Sequence, residues 1–170
     1  MKRLLTAALI AFYLVSTGVQ GSSPAVPGWT KYRNDEGKVS IKFPAEFDVT
    51  VEESETATTY QIISELGKDV FMLSFTFHET EMDDPYNLAQ VSLESFNEAV
   101  GGELVKETDY KYEDYKGREA IVDLSDAGAT VYYRVVIIGQ IQYQLAVVDH
   151  SGNILDEKDK FFNSFSVATD

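Results

Sequence analysis

The two histidines are the side chains of this sequence best suited to proton transfer near neutral pH. His78 follows an apolar run and precedes Glu79 and Glu81, whereas His150 stands beside a turn. A base or a metal site would need the fold to bring a carboxylate or a second imidazole to one of these rings. We expect His78 to face away from the apolar series before it, as an ordinary surface residue. A hydrolase working through carboxylates and His78 is the alternative.

Nucleophilic and phosphate-binding motifs are absent from the sequence. The chain has no cysteine, and no serine stands in a G-x-S-x-G context. Gly101-Gly102 belongs to neither a dinucleotide-binding nor a P-loop pattern. Carboxylate pairs of the glycosidase kind are defined by their separation in space, so the 28 acidic residues leave that chemistry open. The sequence predicts no cofactor.

An acidic cluster of Glu79, Glu81 and Asp83 precedes a predicted helix, which Asp84 is expected to cap. A hard cation such as Ca²⁺ prefers oxygen ligands of this kind. Segment 149–156, DHSGNILD, superficially suggests a calcium loop but lacks the alternating Asp/Asn ligands and the closing glutamate. A solvated acidic face is the favoured interpretation, and a weak calcium site at the cluster is the alternative.

A predicted turn combines aromatic rings with charge at Tyr112, Glu113, Asp114 and Tyr115. Aromatic residues are enriched in protein–protein interfaces. These four residues are therefore the candidates for partner binding.

The charge balance narrows the class of partner. The chain has 14 basic and 28 acidic residues and a formal net charge of −14. Because residues 1–21 include two basic and no acidic side chains, the remainder has a net charge of −16. This field repels nucleic acid and anionic lipid surfaces. A cationic partner, a metal ion, or solubility alone remains as the explanation of the charge.

The N-terminus has the pattern of a secretory signal peptide. Met1-Lys2-Arg3 precedes an apolar run from Leu4 to Val15, and small residues lead to Gly21. The run is shorter than the ~20 residues that a membrane helix needs, although a retained anchor is the alternative. We predict an exported protein, periplasmic or secreted, with no membrane insertion after cleavage. The predicted divisions are a signal peptide at 1–21, a linker at 22–28 and a single domain at 29–170.

The segment Ala129–Asp149 predicts a central β-hairpin turning at Gly139-Gln140. Its first strand is apolar on both faces, which is typical of a strand covered on two sides. On its second strand, one face carries Gln140, Gln142 and Gln144. We therefore expect this face to be more exposed to solvent near the turn.

The other elements follow from periodicity and punctuation. Phe71, Leu73, Phe75 and Phe77 share one strand face, which we expect the helix at 85–100 to cover. Helical spacing gives that helix a core stripe: Tyr86, Ala89, Leu93, Phe96 and Val100. The remaining predictions are a hairpin-like opening from Trp29 to Phe43, strands at 47–51, 60–66, 70–77, 103–112 and 117–124, a helix capped by Asn153 and ending at Phe162, and a last strand through Phe165 and Val167. This order predicts an α+β domain, a mainly antiparallel sheet with helices on both faces.

The sequence resembles PsbP-like domains over about residues 29 to 168. The motifs that carry the resemblance are Tyr32, Gly37, Val39-Ser40-Ile41 and Phe43-Pro44 at the start, and Gly139, Tyr143-Gln144-Leu145 and Phe162-Asn163-Ser164-Phe165 at the end. Members include an extrinsic subunit of photosystem II, a Ran-binding nuclear transport factor and uncharacterised exported bacterial proteins, the branch that this chain resembles. The resemblance implies an α/β/α sandwich and an accessory or binding role, because no catalytic constellation characterises the group.

Together these observations predict an exported, non-enzymatic accessory or binding protein that presents an acidic surface to a protein partner. An extracytoplasmic carboxylate-dependent hydrolase and a weak calcium-binding protein are the alternatives.

Overall fold

A computed structural model describes residues 28–168. The predicted signal peptide and all but the last residue of the predicted linker lie outside the described residues. Within that range the chain forms ten strands and two helices: β1 Thr30–Asn34, β2 Val39–Phe43, β3 Phe47–Glu53, β4 Ala57–Leu66, β5 Asp69–His78, α1 Pro85–Val100, β6 Glu103–Tyr112, β7 Tyr115–Leu124, β8 Ala129–Ile138, β9 Ile141–Asp149, α2 Leu155–Asn163 and β10 Ser166–Val167. Neither helix of the described part is long and apolar enough to cross a membrane.

Seven strands form one antiparallel sheet in the order β3-β4-β5-β9-β8-β7-β6. The β8–β9 hairpin turns at Gly139, whose φ of 61° is a conformation that glycine adopts without strain. Strand β9 lies in the middle, between β5 and β8. The predicted α+β class and the predicted central hairpin are confirmed.

A second, three-stranded sheet in the order β1-β2-β10 accompanies α2 on one face of the large sheet, whereas α1 covers the other face. Sequence analysis anticipated the β1–β2 hairpin and the last strand but placed all strands in one sheet. The separation is imposed by β10, which pairs with β2 through Ser166↔Ser40 and Val167↔Val39.

Helix α1 has the predicted bounds because both of its ends are capped. The Asp84 carboxylate accepts a hydrogen bond from the Asn87 amide at 3.0 Å, and Pro85 occupies the first turn. Gly101 ends the helix with φ 69°. Tyr86 is a correction to the predicted core stripe, since its side chain is exposed.

The face of β5 that carries Phe71, Leu73 and Phe75 packs against α2 and the small sheet, not against α1. The Phe161 ring of α2 lies 5.5 Å from the Phe71 ring between centroids. Helix α1 instead covers the opposite face, where its Phe96 ring stacks on Tyr133 of β8 at 4.1 Å. The prediction failed because β5 is buried on both faces, with Val70 and Met72 in the core opposite Phe71, so its alternation could not specify which helix covers which side.

The glutamines of β9 are buried under α1, which corrects the expectation of a wetter face. Gln144 accepts a hydrogen bond from the Tyr133 hydroxyl at 2.7 Å, and the Gln142 amide donates to the Ser92 hydroxyl at 3.1 Å. Such partners offset the desolvation of the buried amides. The two glutamines therefore take part in a hydrogen-bonded side-chain network within the core.

The start of α2 differs from the prediction. Ile154, not Asn153, is the N-cap, and the Asn153 side chain donates to the Ser151 carbonyl at 3.1 Å. Asn153 therefore belongs to the preceding turn.

The layer assignment can be tested by double-mutant cycles on the phenylalanines. We expect Phe71→Leu and Phe161→Leu to show a coupling of about 0.5–3 kcal/mol, because contacting residues behave non-additively. The matched pair Phe71→Leu and Phe96→Leu should be additive within about 0.5 kcal/mol, since the sheet separates these rings. Urea unfolding of the single and double variants measures both values. Coupling of Phe71 to Phe96 instead of Phe161 would contradict the assignment.

Candidate functional site

His78 lies at the end of β5 and is half-buried beside α1. Its Nε2 is 3.3 Å from the Gln142 side-chain oxygen, and the Gln142 amide bonds in turn to Ser92. This chain of side chains ties β5 and β9 to α1. The predicted facing direction is confirmed, but the ring is more enclosed than a plain surface histidine.

The surroundings of His78 are those of a packing histidine. Burial lowers its pKa, and the hydrogen bond to Gln142 opposes that effect. Within residues 28–168 no carboxylate bonds to the ring, and Glu79 and Glu81 are exposed. The ring thus lacks the acidic partner that orients an imidazole in a catalytic triad.

The acidic cluster of Glu79, Glu81 and Asp83 lies on the surface ahead of α1. Nowhere in the described part of the chain do three His, Cys, Asp or Glu side chains converge as metal ligands. The fold therefore does not gather these three carboxylates, and calcium binding stays a prediction.

The loop after β9, which superficially suggested a calcium loop, uses its acids to hold backbone. Asp69 accepts hydrogen bonds from the amides of His150 and Ser151, at 2.8 and 3.0 Å. Asp149 accepts one from the Gly152 amide at 2.6 Å. Both carboxylates are buried. Their hydrogen bonds to backbone amides hold the turn in its conformation.

The β6–β7 hairpin brings the four predicted partner-binding residues together. Tyr112 pairs with Tyr115, and Glu113 and Asp114 form an exposed two-residue loop. Tyr115 is exposed, but Tyr112 is half-buried, which corrects its expected exposure. The Tyr112 hydroxyl accepts a hydrogen bond from the Val167 amide at 2.8 Å, and its ring lies 5.2 Å from Phe165. Tyr112 therefore anchors the hairpin to the small sheet.

Sequence analysis missed a cavity of about 200 Å³ between β6, β7, β8 and α2, which we call the basic cleft. Ionic and polar side chains dominate its lining: Lys106, Thr108, Glu119, Tyr132, Arg134 and Lys158. Ile121 and Phe162 add apolar surface. Three cations and one carboxylate thus meet in a chain with twice as many acids as bases.

Arg134 is fixed in the cleft by contacts on three sides. Its Nε donates to Glu119 at 2.9 Å, and the guanidinium lies 4.4 Å from the Phe162 ring centroid and 4.9 Å from that of Tyr110. The other Glu119 oxygen accepts from the Thr108 hydroxyl at 3.1 Å. Arg134 and Glu119 therefore form a rigid floor with restricted side-chain freedom.

The two lysines of the cleft are less committed. The Lys158 ammonium lies 4.5 Å from the Tyr132 ring centroid and 3.0 Å from Asp159, a carboxylate that is 65% exposed. Lys106 is exposed and makes no ion pair within residues 28–168. Because Asp159 is largely in water, its ion pair with Lys158 contributes little free energy, and both ammonium groups retain the capacity to meet an anion.

A β-bulge at Val105 determines which β6 side chains reach the cleft. Leu104 pairs with Val122, whereas Lys106 pairs with Ile121, so one residue on β6 is extra. Lys106 and Thr108 consequently face α2. A regular strand continuing from Leu104 would turn Glu107 and Asp109 to that side instead.

On the opposite face of β6, acids and a base neutralise one another. Arg118 forms ion pairs with Glu107 and Asp109, and the Tyr86 hydroxyl donates to Asp109 at 2.7 Å. The hydrogen bond from Arg118 lowers the pKa of Glu107, and those from Tyr86 and Arg118 lower the pKa of Asp109. The two terminal nitrogens of Arg118 thus have acidic or phenolic partners, whereas its buried Nε has no hydrogen-bond partner among the described residues.

The fold is that of PsbP-like proteins. The solution structure of cyanobacterial PsbP (CyanoP) from Synechocystis sp. PCC 6803 matches with a TM-score of 0.57 and 9% identity, covering 89% of this chain and 99% of CyanoP. A crystal structure from Bacteroides thetaiotaomicron matches with a TM-score of 0.42 and 12% identity over 85% of this chain and 50% of that one, too low a score to establish a common fold. No protein-family model and no curated protein matches the sequence.

The enclosed position of His78 predicts a pH-dependent contribution to stability. Its pKa in the folded protein lies below the unperturbed value of about 6.5, so the unfolded chain takes up the proton first as the pH falls. The free energy of unfolding should therefore drop below pH ~6.5, and His78→Gln should lose less between pH 7.5 and 5.5 than the unmodified protein. Urea unfolding at both pH values measures the difference, and equal losses would contradict the burial.

Proposed function

We propose that the protein is an exported, non-enzymatic accessory module that binds a basic protein partner through its acidic surface, with the β6–β7 hairpin tip as the contact. The location, periplasmic or secreted, rests on the signal-peptide pattern of residues 1–21. The role is supported by the resemblance to PsbP-like domains and by the fold shared with CyanoP. The anchored hairpin is the observation that carries the assignment to the tip.

The hairpin presents its charges on a fixed base. Glu113 and Asp114 project beyond the strands, while Tyr112 holds the root through the Val167 amide and the Phe165 ring. A surface that is already ordered loses less conformational entropy on binding. The exposed Tyr115 adds an aromatic contact of the kind enriched in interfaces.

The overall charge favours a basic partner. A net charge of −14 attracts cationic proteins over a distance comparable to the Debye length, about 8 Å at physiological ionic strength. Opposite charges also steer the encounter and disfavour acidic competitors. Binding should therefore weaken as salt is added.

Glu113 has a positive φ of 50°, unusual for a residue other than glycine. Hairpin turns with a positive φ at the first loop position normally place glycine, asparagine or aspartate there. Local strain of this kind is concentrated at functional sites. The presence of a charged side chain in this conformation supports a role for the tip outside folding.

Site-specific cross-linking in the producing cells tests the proposed contact. A photo-reactive phenylalanine analogue in place of Tyr115 should trap a basic protein, because this position borders the acidic tip. The same analogue in place of Lys68, an exposed turn residue between β4 and β5, is the positional control and should not trap it.

Charge variants complete that experiment. Glu113→Gln with Asp114→Asn should reduce the cross-link at Tyr115 several-fold, whereas Glu52→Gln with Glu55→Gln, which removes two exposed charges elsewhere, should leave it largely intact. Equal trapping from both positions, or no effect of the tip variant, would refute the assignment of the contact.

The strain at Glu113 gives a separate prediction. Glu113→Asn should raise the free energy of unfolding by up to about 1 kcal/mol, because Asn tolerates the left-handed conformation better. Asp114→Asn is the control, since it removes the same charge at a position without a positive φ, together with the exposed ion pair to Lys111, and it should not stabilise the protein. Thermal unfolding compares the two, and a stabilisation common to both would attribute the gain to charge rather than to strain.

A further inference from the structure

We propose that the basic cleft is a binding site for a carboxylate, carried on a compact apolar or aromatic body. The carboxylate belongs either to a free organic acid or to an acidic side chain of a bound peptide. This site is distinct from the acidic hairpin tip and goes beyond the proposed accessory function.

The sign of the charge in the cleft is opposite to that of the molecule. Lys106, Arg134 and Lys158 line it together with one carboxylate, Glu119, which pairs with Arg134, while Lys158 pairs with Asp159 outside the lining. The side chains of Lys158 and Arg134 are only 17% and 27% exposed, so their charges are partly removed from water. Neighbouring cations in such surroundings raise one another's energy unless an anion joins them. Glu119 and Asp159 give two carboxylates to the three cations, and a carboxylate bound in the cleft would supply a third.

The lining has two chemically different parts. Lys106 and Lys158 supply ammonium donors, whereas Ile121 and Phe162 supply apolar surface. The volume of about 200 Å³ corresponds to roughly seven water molecules at ~30 Å³ each. This space suits the head and first ring or short chain of an organic acid, not a large ligand.

The arrangement favours a carboxylate monoanion over a phosphate dianion. The net charge of −14 repels each additional negative charge on a ligand. The Arg134 Nε, which would take part in side-on bidentate recognition of either anion, already donates to Glu119 at 2.9 Å, so the preference for a monoanion rests on the net charge alone. Recognition therefore depends on the lysine ammonium groups as point charges.

The bulge at Val105 provides an independent structural argument. Val105 is 62% exposed and contributes no side chain to the core, yet the extra residue sets the phase in which Lys106 and Thr108 face the cleft. Bulges are over-represented at sheet edges, where β6 lies, and next to active sites, where they re-aim side chains. The cationic lining is thus a product of the strand geometry.

Ligand titration of the exported protein tests the site. The probes are benzoate for a free acid, acetyl-Ala-Glu-Ala-amide for an acidic side chain, and inorganic phosphate for comparison. Proton–nitrogen NMR follows the Nε–H signal of Arg134, a residue that lines the cleft. The change of this signal with probe concentration gives the dissociation constant. We expect a carboxylate probe to shift this signal saturably and to bind more tightly than phosphate, with weaker binding at higher salt.

Matched charge variants give the decisive comparison. Lys106→Met with Lys158→Met should weaken carboxylate binding at least tenfold. Lys31→Met with Lys68→Met removes the same charge from exposed positions outside the cleft and should change binding by less than twofold. If the double cleft variant fails to fold, Lys106→Met alone, at an exposed position, still has to weaken binding several-fold.

The outcomes separate the sources and the hypotheses. Binding of benzoate alone assigns a free acid, and binding of the peptide alone assigns an acidic side chain; both support the site. The site is refuted if neither carboxylate probe binds or if phosphate binds more tightly than both. It is also refuted if the two double variants weaken binding equally. The tip variant Glu113→Gln with Asp114→Asn should retain carboxylate binding, so failure of the proposed partner contact is distinguishable from failure of this site.

Discussion

Strand β9 lies at the centre of the seven-stranded sheet and buries side chains on both of its faces, as do its neighbours β5 and β8. A sheet of this kind requires a covering layer on each side, because each large apolar side chain left exposed would forfeit about 1.5–3 kcal/mol. Helix α1 supplies one layer, while α2 and the small sheet supply the other. With no cysteine in the chain, no disulfide adds to this stabilisation.

Both candidate functional sites lie toward one edge of the large sheet. The acidic tip and the basic cleft both involve β6 and β7, the two strands farthest from β3. The tip is stabilised through Tyr112 by the small sheet, and the cleft is closed by α2. The layer that completes the second core therefore also positions both candidate sites.

Elements that begin or end at a capping or turn residue were predictable from the sequence. Asp84 and Gly101 define the ends of α1, and Gly139 defines the central turn, because capping and turn chemistry act between near neighbours. The choice of layer for Phe71 was not predictable, since β5 is buried on both sides. Gln142 was misjudged because its polar partner, Ser92, lies on a different element.

The basic cleft depends on distant residues and on an irregularity, so periodicity alone could not find it. Lys106, Arg134 and Lys158 are contributed by three elements, and the bulge breaks the alternation of β6 where it matters. The available signal was Arg134, a charged residue in an otherwise apolar strand. A cation at such a position needs partners, and in this fold they are Glu119, Tyr110 and Phe162.

The two outer strands of the large sheet are unequal in one further respect. Strand β6 interrupts its ladder at Val105, whereas β3 pairs with β4 without a register shift and leaves Val49 and Val51 half exposed. An unbroken outer strand is a template for pairing with another molecule, and on β3 Asp48 and Glu52 oppose that by like-charge repulsion. Concentrated salt screens this repulsion. Self-association of the protein under such conditions would begin along β3, leaving the side that bears the tip and the cleft open to solvent.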